Sequence, residues 1–190
     1  MNTTLYVING PSGAGKSHLL RYVETRFDGA RAIPKLTTRP ERAAEAAQTW
    51  SDLIHATDER FHELNPEFRY SWNGFHYGIG RRDLTERLDG ARIGLIVVRN
   101  ARTIHELVAG FTGGDVITVL VTASPSTRRR RLLAEGLGER EISRRLAQDE
   151  DPAVDDRPDS ALYQWRLENE SSPEDYHRKI SEMVAGTSDD

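Results

Sequence analysis

Residues 10–17 read Gly10-Pro11-Ser12-Gly13-Ala14-Gly15-Lys16-Ser17 and fill every fixed position of the pattern G-x-x-x-x-G-K-[ST]. No other stretch restricts the chain as much, because the pattern works only between a strand and a helix. Both are written in the flanks. Residues 5–9, Leu-Tyr-Val-Ile-Asn, are a short apolar run of the kind buried in parallel sheets. Residues 18–23, His-Leu-Leu-Arg-Tyr-Val, place apolar side chains at helical spacing. The glycines let the backbone bend tightly and turn its N–H groups around phosphate oxygens. The following helix adds unpaired N–H groups and the positive end of its dipole. Gly10 to Gly15 are therefore expected to form the cradle for the phosphates of a nucleotide. Lys16 brings a positive charge to the β- and γ-phosphates, and the Ser17 hydroxyl is the expected Mg²⁺ ligand.

The 190 residues suffice for one domain with a sizeable core. With 37% hydrophobic and 29% charged residues, the composition is that of a soluble globular protein. A net charge of −4 gives no field favouring nucleic acid or an anionic membrane, and neither partner is expected. Cysteine is absent, which excludes disulfides, thiolate metal sites and cysteine nucleophiles and fits the cytoplasm. No basic-then-apolar leader and no membrane-length apolar run is visible. Lysine occurs only at positions 16, 35 and 179, so arginine supplies most cations, and arginine suits bidentate phosphate contacts.

Along the chain, residues 31–36 are expected as a second strand, weakened by Pro34, followed by a polar loop over 37–42. Residues 43–53 read as a short helix or an irregular excursion. Thr57 is positioned to cap a helix that Asn65-Pro66 breaks. Residues 68–77 are aromatic-rich around Asn73-Gly74, a hairpin signal. Residues 37–80 are thus expected as an inserted lobe with a small antiparallel sheet. The α/β rhythm then resumes. Helices are expected at 82–88, 101–109, 125–133, 139–150 and 173–184, and strands at 93–98, 116–121 and 163–167. An acidic loop is expected over 151–160 and a frayed tail over 186–190. The fold class is α/β, a P-loop kinase with a parallel sheet covered by helices on both faces. The core spans 1–36 and 81–185, with a helical lid near 128–150. Ligands belong at the carboxyl ends of the strands. There Arg99 and Arg102, after the strand at 93–98, are candidate acceptor contacts. One small domain with a lobe and an arginine-rich helix pair suits a small-molecule kinase better than a GTPase switch or a motor. The six histidines show no metal spacing.

The chain resembles the guanylate kinase family. The likeness runs through the Gly10–Ser17 loop, through Thr37-Thr38-Arg39-Pro40-Glu41-Arg42, similar to the family's T-T-R-x-x-R, and through Asn73-Gly74-Phe75-His76-Tyr77-Gly78, similar to its G-x-x-Y-G. It continues at Ser124-Pro125-Ser126 with Arg131-Leu132, at residues 142–146 and at Leu167-Glu168-Asn169. The resemblance implies that Arg39, Arg42 and Tyr77 hold the phosphate of an acceptor. It implies that Arg131 and Arg145 close over the γ-phosphate and that Asn169 contacts adenine. It also implies ATP and Mg²⁺ as donor and cofactor, a small phosphorylated acceptor as partner, and a monomer or homodimer. Several positions depart from the family. Lys35 replaces the serine before T-T-R, Leu53 stands near the lobe tyrosine, and Ile79 follows Tyr77-Gly78. Arg99-Asn100-Ala101-Arg102 stands where the family has D-x-D. Tyr77-Gly78-Ile79 and residues 99–102 are similar instead to the ribose bisphosphate phosphokinase branch. A nucleoside monophosphate such as GMP and a ribose phosphate both stand as acceptors. A non-catalytic nucleotide- or protein-binding module is the reading from another class.

Overall fold

The structure is a computed structural model and describes residues 3–46, 49–150 and 160–187. The chain opens with β1 (Thr4–Asn9), the Gly10–Gly15 loop and α1 (Lys16–Arg26). Then come β2 (Ala30–Ala32), β3 (Lys35–Thr37), α2 (Ala43–Ala46), β4 (Leu53–His55) and α3 (Asp58–Leu64). The hairpin β5 (Phe68–Trp72) and β6 (Phe75–Ile79) leads into α4 (Arg81–Leu88), β7 (Ile93–Val97) and α5 (Ala101–Gly110). The rest of the chain forms β8 (Val116–Thr122), α6 (Pro125–Ala134), α7 (Glu139–Glu150), β9 (Trp165–Glu168) and α8 (Pro173–Gly186).

A five-stranded sheet in the order β2-β7-β1-β8-β9 is parallel throughout. Apolar side chains on both faces of β1 explain its central place: Leu5, Tyr6, Val7 and Ile8 are all 1% exposed or less. Tyr6 and Ile8 pack in one layer with Leu19, Leu20 and Val23 of α1 and with Tyr176, Ile180 and Met183 of α8. Leu5 and Val7 join the opposite layer, with Leu84 of α4 and Ile104 and Leu107 of α5. Strand order reverses at β1, with β7 on one side and β8 on the other. This reversal opens a crevice at the carboxyl ends of the strands, where the Gly10–Gly15 loop, Arg99, Ser124 and Asn169 all emerge.

Pro34 does more than weaken a strand. The expected strand over 31–36 is two strands in two sheets. Ala30–Ala32 pairs with β7, while Lys35–Thr37 lies between β4 and β6. Proline carries no N–H for a ladder, so the chain changes partners there. The second sheet, in the order β4-β3-β6-β5, is mixed rather than antiparallel, because β3 and β4 run parallel. Sequence reading missed β4, three residues with one apolar pair and no alternation. The hairpin is as expected: Asn73 and Gly74 both take positive φ, 55° and 77°. Thr57 accepts from the Arg60 N–H as the α3 cap, and Ser124 and Ser172 do the same for α6 and α8. The last strand starts at Trp165, two residues later than expected. Residues 151–159 of the acidic loop and 188–190 of the tail lie outside the described residues. Gly186 closes α8 rather than starting a frayed end. Among the described residues no helix is long and apolar enough to cross a membrane.

Two adjacent leucines on α6 test which layer carries stability. Leu132 is 1% exposed and Leu133 is 43% exposed. Leu132→Ala is expected to cost about 3 kcal/mol and Leu133→Ala under about 0.5 kcal/mol, measured by urea denaturation.

Candidate active site

The phosphate loop is held from three sides. Gly10 has φ of +143°, and a Cβ there would overlap the carbonyl oxygen of Val121 on β8. Only glycine lets the loop pass so close to the sheet. The Asn9 side chain accepts from the Gly10 N–H at 2.6 Å and donates to the Tyr163 hydroxyl at 2.6 Å. At the far end Gly15, with φ of +104°, caps α1 against the Asn169 amide. The Lys16 ammonium lies across the loop and donates to the carbonyls of Gly10 and Pro11, both at 2.7 Å. Burial, reinforced by Arg99, pushes its pKa well below the usual lysine range. A site that makes an ammonium costly in this way is one prepared for added negative charge.

Two cavities flank the loop. One, of about 620 Å³, is bounded by Gly13, Gly15, Arg131, Asn169 and Tyr176. The other, of about 330 Å³, is bounded by Lys35, Arg39, Tyr77, Trp72 and Asp52. Ser12, Lys16, Ser17, Arg42, Arg99 and Arg145 line both. Ser17, at the first turn of α1, is exposed at this shared wall. Among the described residues no group of three or more His, Cys, Asp or Glu could hold a metal ion. A cation beside Ser17 would therefore complete its shell with water and substrate oxygens, which is the habit of Mg²⁺.

The smaller cavity is built by β3, the turn after it and the β5–β6 hairpin. Arg39 is 8% exposed, and one of its terminal nitrogens donates to both Glu45 carboxylate oxygens at 2.8 Å. Glu45 also accepts from the Arg42 N–H at 3.1 Å. Burial favours protonation of Glu45, but the two arginines outweigh it and hold the carboxyl below its usual value. Burial, then Arg145 and Arg39, lowers the pKa of Arg42. Tyr77 stacks on Tyr70 with ring centroids 5.2 Å apart. Lys35 is 4% exposed, 3.6 Å from Asp52, and burial lowers its pKa. Arg145 donates to Glu141 at 2.7 Å, and Arg144, then Arg145 against some burial, hold that carboxyl at about 2.

Most of the residues singled out from the sequence converge here, with exceptions. Arg102 lines neither cavity. It sits in the first turn of α5, pairs with Glu106 at 3.0 Å on the exposed face, and its side chain is 83% exposed. Arg131 does not reach across to the smaller cavity. It donates to Asn169, both to the backbone carbonyl and to the side-chain oxygen at 3.0 Å, and approaches the carbonyls of Gly13 and Ala14. The Asn169 amide in turn donates to Ala14 at 2.9 Å, so this pair buttresses the loop from the larger cavity's wall. Arg128, one of four consecutive arginines on α6, is 3% exposed. It donates to Asp149, a residue that sequence reading passed over. The signal was there: an acidic residue one helical turn beyond Arg145, on a helix already marked by the arginines.

No family model matches the chain. The guanylate kinase of Alkalilimnicola ehrlichii is 28% identical over 193 residues, covering 97% of this chain and 88% of the relative. A ribose 1,5-bisphosphate phosphokinase of Laribacter hongkongensis is 31% identical over 136 residues, covering 70% of this chain and 32% of the relative. Among solved structures, guanylate kinase from Anaplasma phagocytophilum superposes with a TM-score of 0.66 at 17% identity, over 100% of this chain and 88% of that one. The chain is thus similar in sequence to guanylate kinases and to a ribose 1,5-bisphosphate phosphokinase, and it has the guanylate kinase fold.

Proposed function

We propose that the protein transfers the γ-phosphoryl group of ATP, with Mg²⁺, to a small acceptor that already carries a phosphate. One observation carries this reading: two cavities, one on each side of the phosphate loop, share a wall that contains Lys16, Arg42, Arg99 and Arg145. A donor in the larger cavity and an acceptor in the smaller one would meet at a cationic partition. Phosphoryl transfer passes through a loose transition state, so positioning and charge neutralisation supply most of the rate. Lys16 and the loop N–H groups hold the donor phosphates. Ser17 holds Mg²⁺, which neutralises charge on the phosphate oxygens. Arg39, Arg42 and Tyr77 grip the acceptor's phosphate, and Arg145, on α7, closes the wall from the lid side. Two carboxylates already occupy Arg39 and Arg145, so the acceptor competes for guanidiniums that are aimed but not idle.

A second reading of the acceptor has its own support. The smaller cavity carries seven cationic side chains, Lys16, Lys35, Arg39, Arg42, Arg99, Arg144 and Arg145, against the carboxylates Glu45, Asp52 and Glu141. That excess suits an acceptor with more than one phosphate, such as ribose 1,5-bisphosphate, better than an uncharged base. Lys35 and Leu53 stand there in place of hydroxyl groups that would pair with a base edge. ATP-to-ADP turnover is to be measured against GMP, dGMP, AMP, UMP, dTMP, ribose 1,5-bisphosphate and several sugar phosphates. Turnover with GMP supports guanine recognition by replacement residues. Turnover with ribose 1,5-bisphosphate alone supports the second reading. Silence with every acceptor, ATP still binding, turns the assignment toward a non-catalytic module.

Two substitutions test the roles. Lys16→Ala is expected to lower kcat about 10³-fold without loss of fold, read by circular dichroism alongside kinetics; a variant with near-normal turnover removes the proposed site. Arg42→Ala is expected to raise the acceptor KM at least about tenfold and the ATP KM far less. Equal effects on both substrates rule out its assignment to the acceptor.

A further inference from the structure

Asp149 lines neither cavity, yet its carboxylate joins four parts of the site. Its side chain is 3% exposed. One oxygen accepts from Arg99 at 2.5 Å. The other accepts from Arg128 of α6 at 2.8 Å and from the Ser12 backbone N–H of the phosphate loop at 3.0 Å. Asp149 is on α7, so one buried group ties the lid helix, the loop and the end of β7 together.

Of its partners, Arg99 faces both cavities. The Arg99 guanidinium lies 4.2 Å from the centroid of the Trp72 ring, and its other terminal nitrogen is 3.5 Å from the Ser12 hydroxyl. An arginine gripped by a carboxylate at its end and covered by an indole on its face has lost most of its rotameric freedom. A charge fixed in advance needs no reorganisation when phosphates arrive. We propose that Asp149 is a positioning residue for phosphoryl transfer, fixing Arg99 at the wall common to donor and acceptor and setting the lip of the phosphate loop against it. This rests on the kinase reading given above. Without the carboxylate, Arg99 and Arg128 would be two buried cations facing one place, and Arg99, at the cavity wall, would turn away.

The test is a double-mutant cycle on the full chain, with Asp149→Asn, Arg99→Gln and the double variant. Melting temperatures establish folding, calorimetry measures ATP affinity, and kinetics use whichever acceptor the wild type turns over. Asp149→Asn is expected to lower kcat/KM for the acceptor about 10²-fold, the scale of a misplaced catalytic contact. ATP affinity is expected to fall about tenfold through the Ser12 lip and Arg99. Arg99→Gln should do the same, and the double variant should be no worse than either single one. Additive losses, or wild-type kinetics in a folded Asp149→Asn protein, overturn the proposal. If Asp149→Asn does not fold, Asp149→Glu keeps the charge and moves the carboxylate by one methylene. A loss in that variant supports positioning, and wild-type kinetics overturns it. A wild type silent with every acceptor ends the kinase reading, while the ATP-affinity cycle still decides the claim about Asp149: non-additive losses support it and additive ones overturn it.

Discussion

The site depends on holding like charges close together before any phosphate is present. Lys16, Lys35, Arg39, Arg42, Arg99 and Arg145 come from the start of α1, β3, the turn after it, the end of β7 and α7. Burial and mutual repulsion push the pKa values of Lys16, Lys35 and Arg42 down. Four carboxylates on three segments keep the cluster from flying apart: Glu45 on α2, Asp52 ahead of β4, and Glu141 and Asp149 on α7. Buried pairs of this kind add little net stability, because desolvation consumes the attraction. What they supply is direction. Each carboxylate turns a flexible cation toward a fixed place, and substrate phosphates bring the rest of the negative charge.

The parts of this design that could be read from the sequence are the local ones. The loop's glycines answer to backbone conformation, as Gly10 and Gly15 show, and a pattern of letters records that directly. Asn73-Gly74 demands a turn of one hand, and Thr57, Ser124 and Ser172 each satisfy a donor a few residues away. The alternation of strands and helices was legible because β1, β7 and β8 are buried on both faces and so appear as unbroken apolar runs. Arg39, Arg42 and Tyr77, proposed to grip the acceptor's phosphate, were named through resemblance, and their convergence with Lys16 on one cavity is what the structure adds.

What was illegible is non-local. Arg99 and Arg102 stand three residues apart, yet one is clasped between Trp72 and Asp149 while the other reaches into solvent beside Glu106. The difference lies in where α5 begins, since Asn100 caps it and puts Arg102 on the outer face. Arg128 looks the same in sequence as Arg129 to Arg131, and only its partner 21 residues on, Asp149, sets it apart. The exchange of sheets at Pro34 was hidden for a similar reason. Residues 30–32 and 35–37 each form three-residue strands, and which sheet a short strand joins is decided by partner strands 18 to 63 residues away.

That exchange has a mechanical consequence. The four-stranded sheet is pinned to the rest of the molecule along β5, where the Thr103 hydroxyl donates to the Arg69 carbonyl and Phe68 lies in the core layer. Its opposite margin is β4, with Ile54 exposed. Between Ile33, whose N–H is fastened to Leu95, and Lys35, whose N–H is fastened to Asp52, a single proline spans the two sheets. Gly80 makes the return passage into α4. A rigid swing of this sheet would turn at these two passages with β5 as its axle, and it would break the bond of 2.5 Å from the Trp50 indole, just ahead of β4, to Glu24 of α1. Three strand spacings, roughly 14 Å, separate axle from margin, so a turn of about 10° carries β4 and the adjoining Asp52 through roughly 2.5 Å while β5 hardly moves. With its φ fixed by the ring, Pro34 brings to that passage one free backbone torsion fewer than any other residue would.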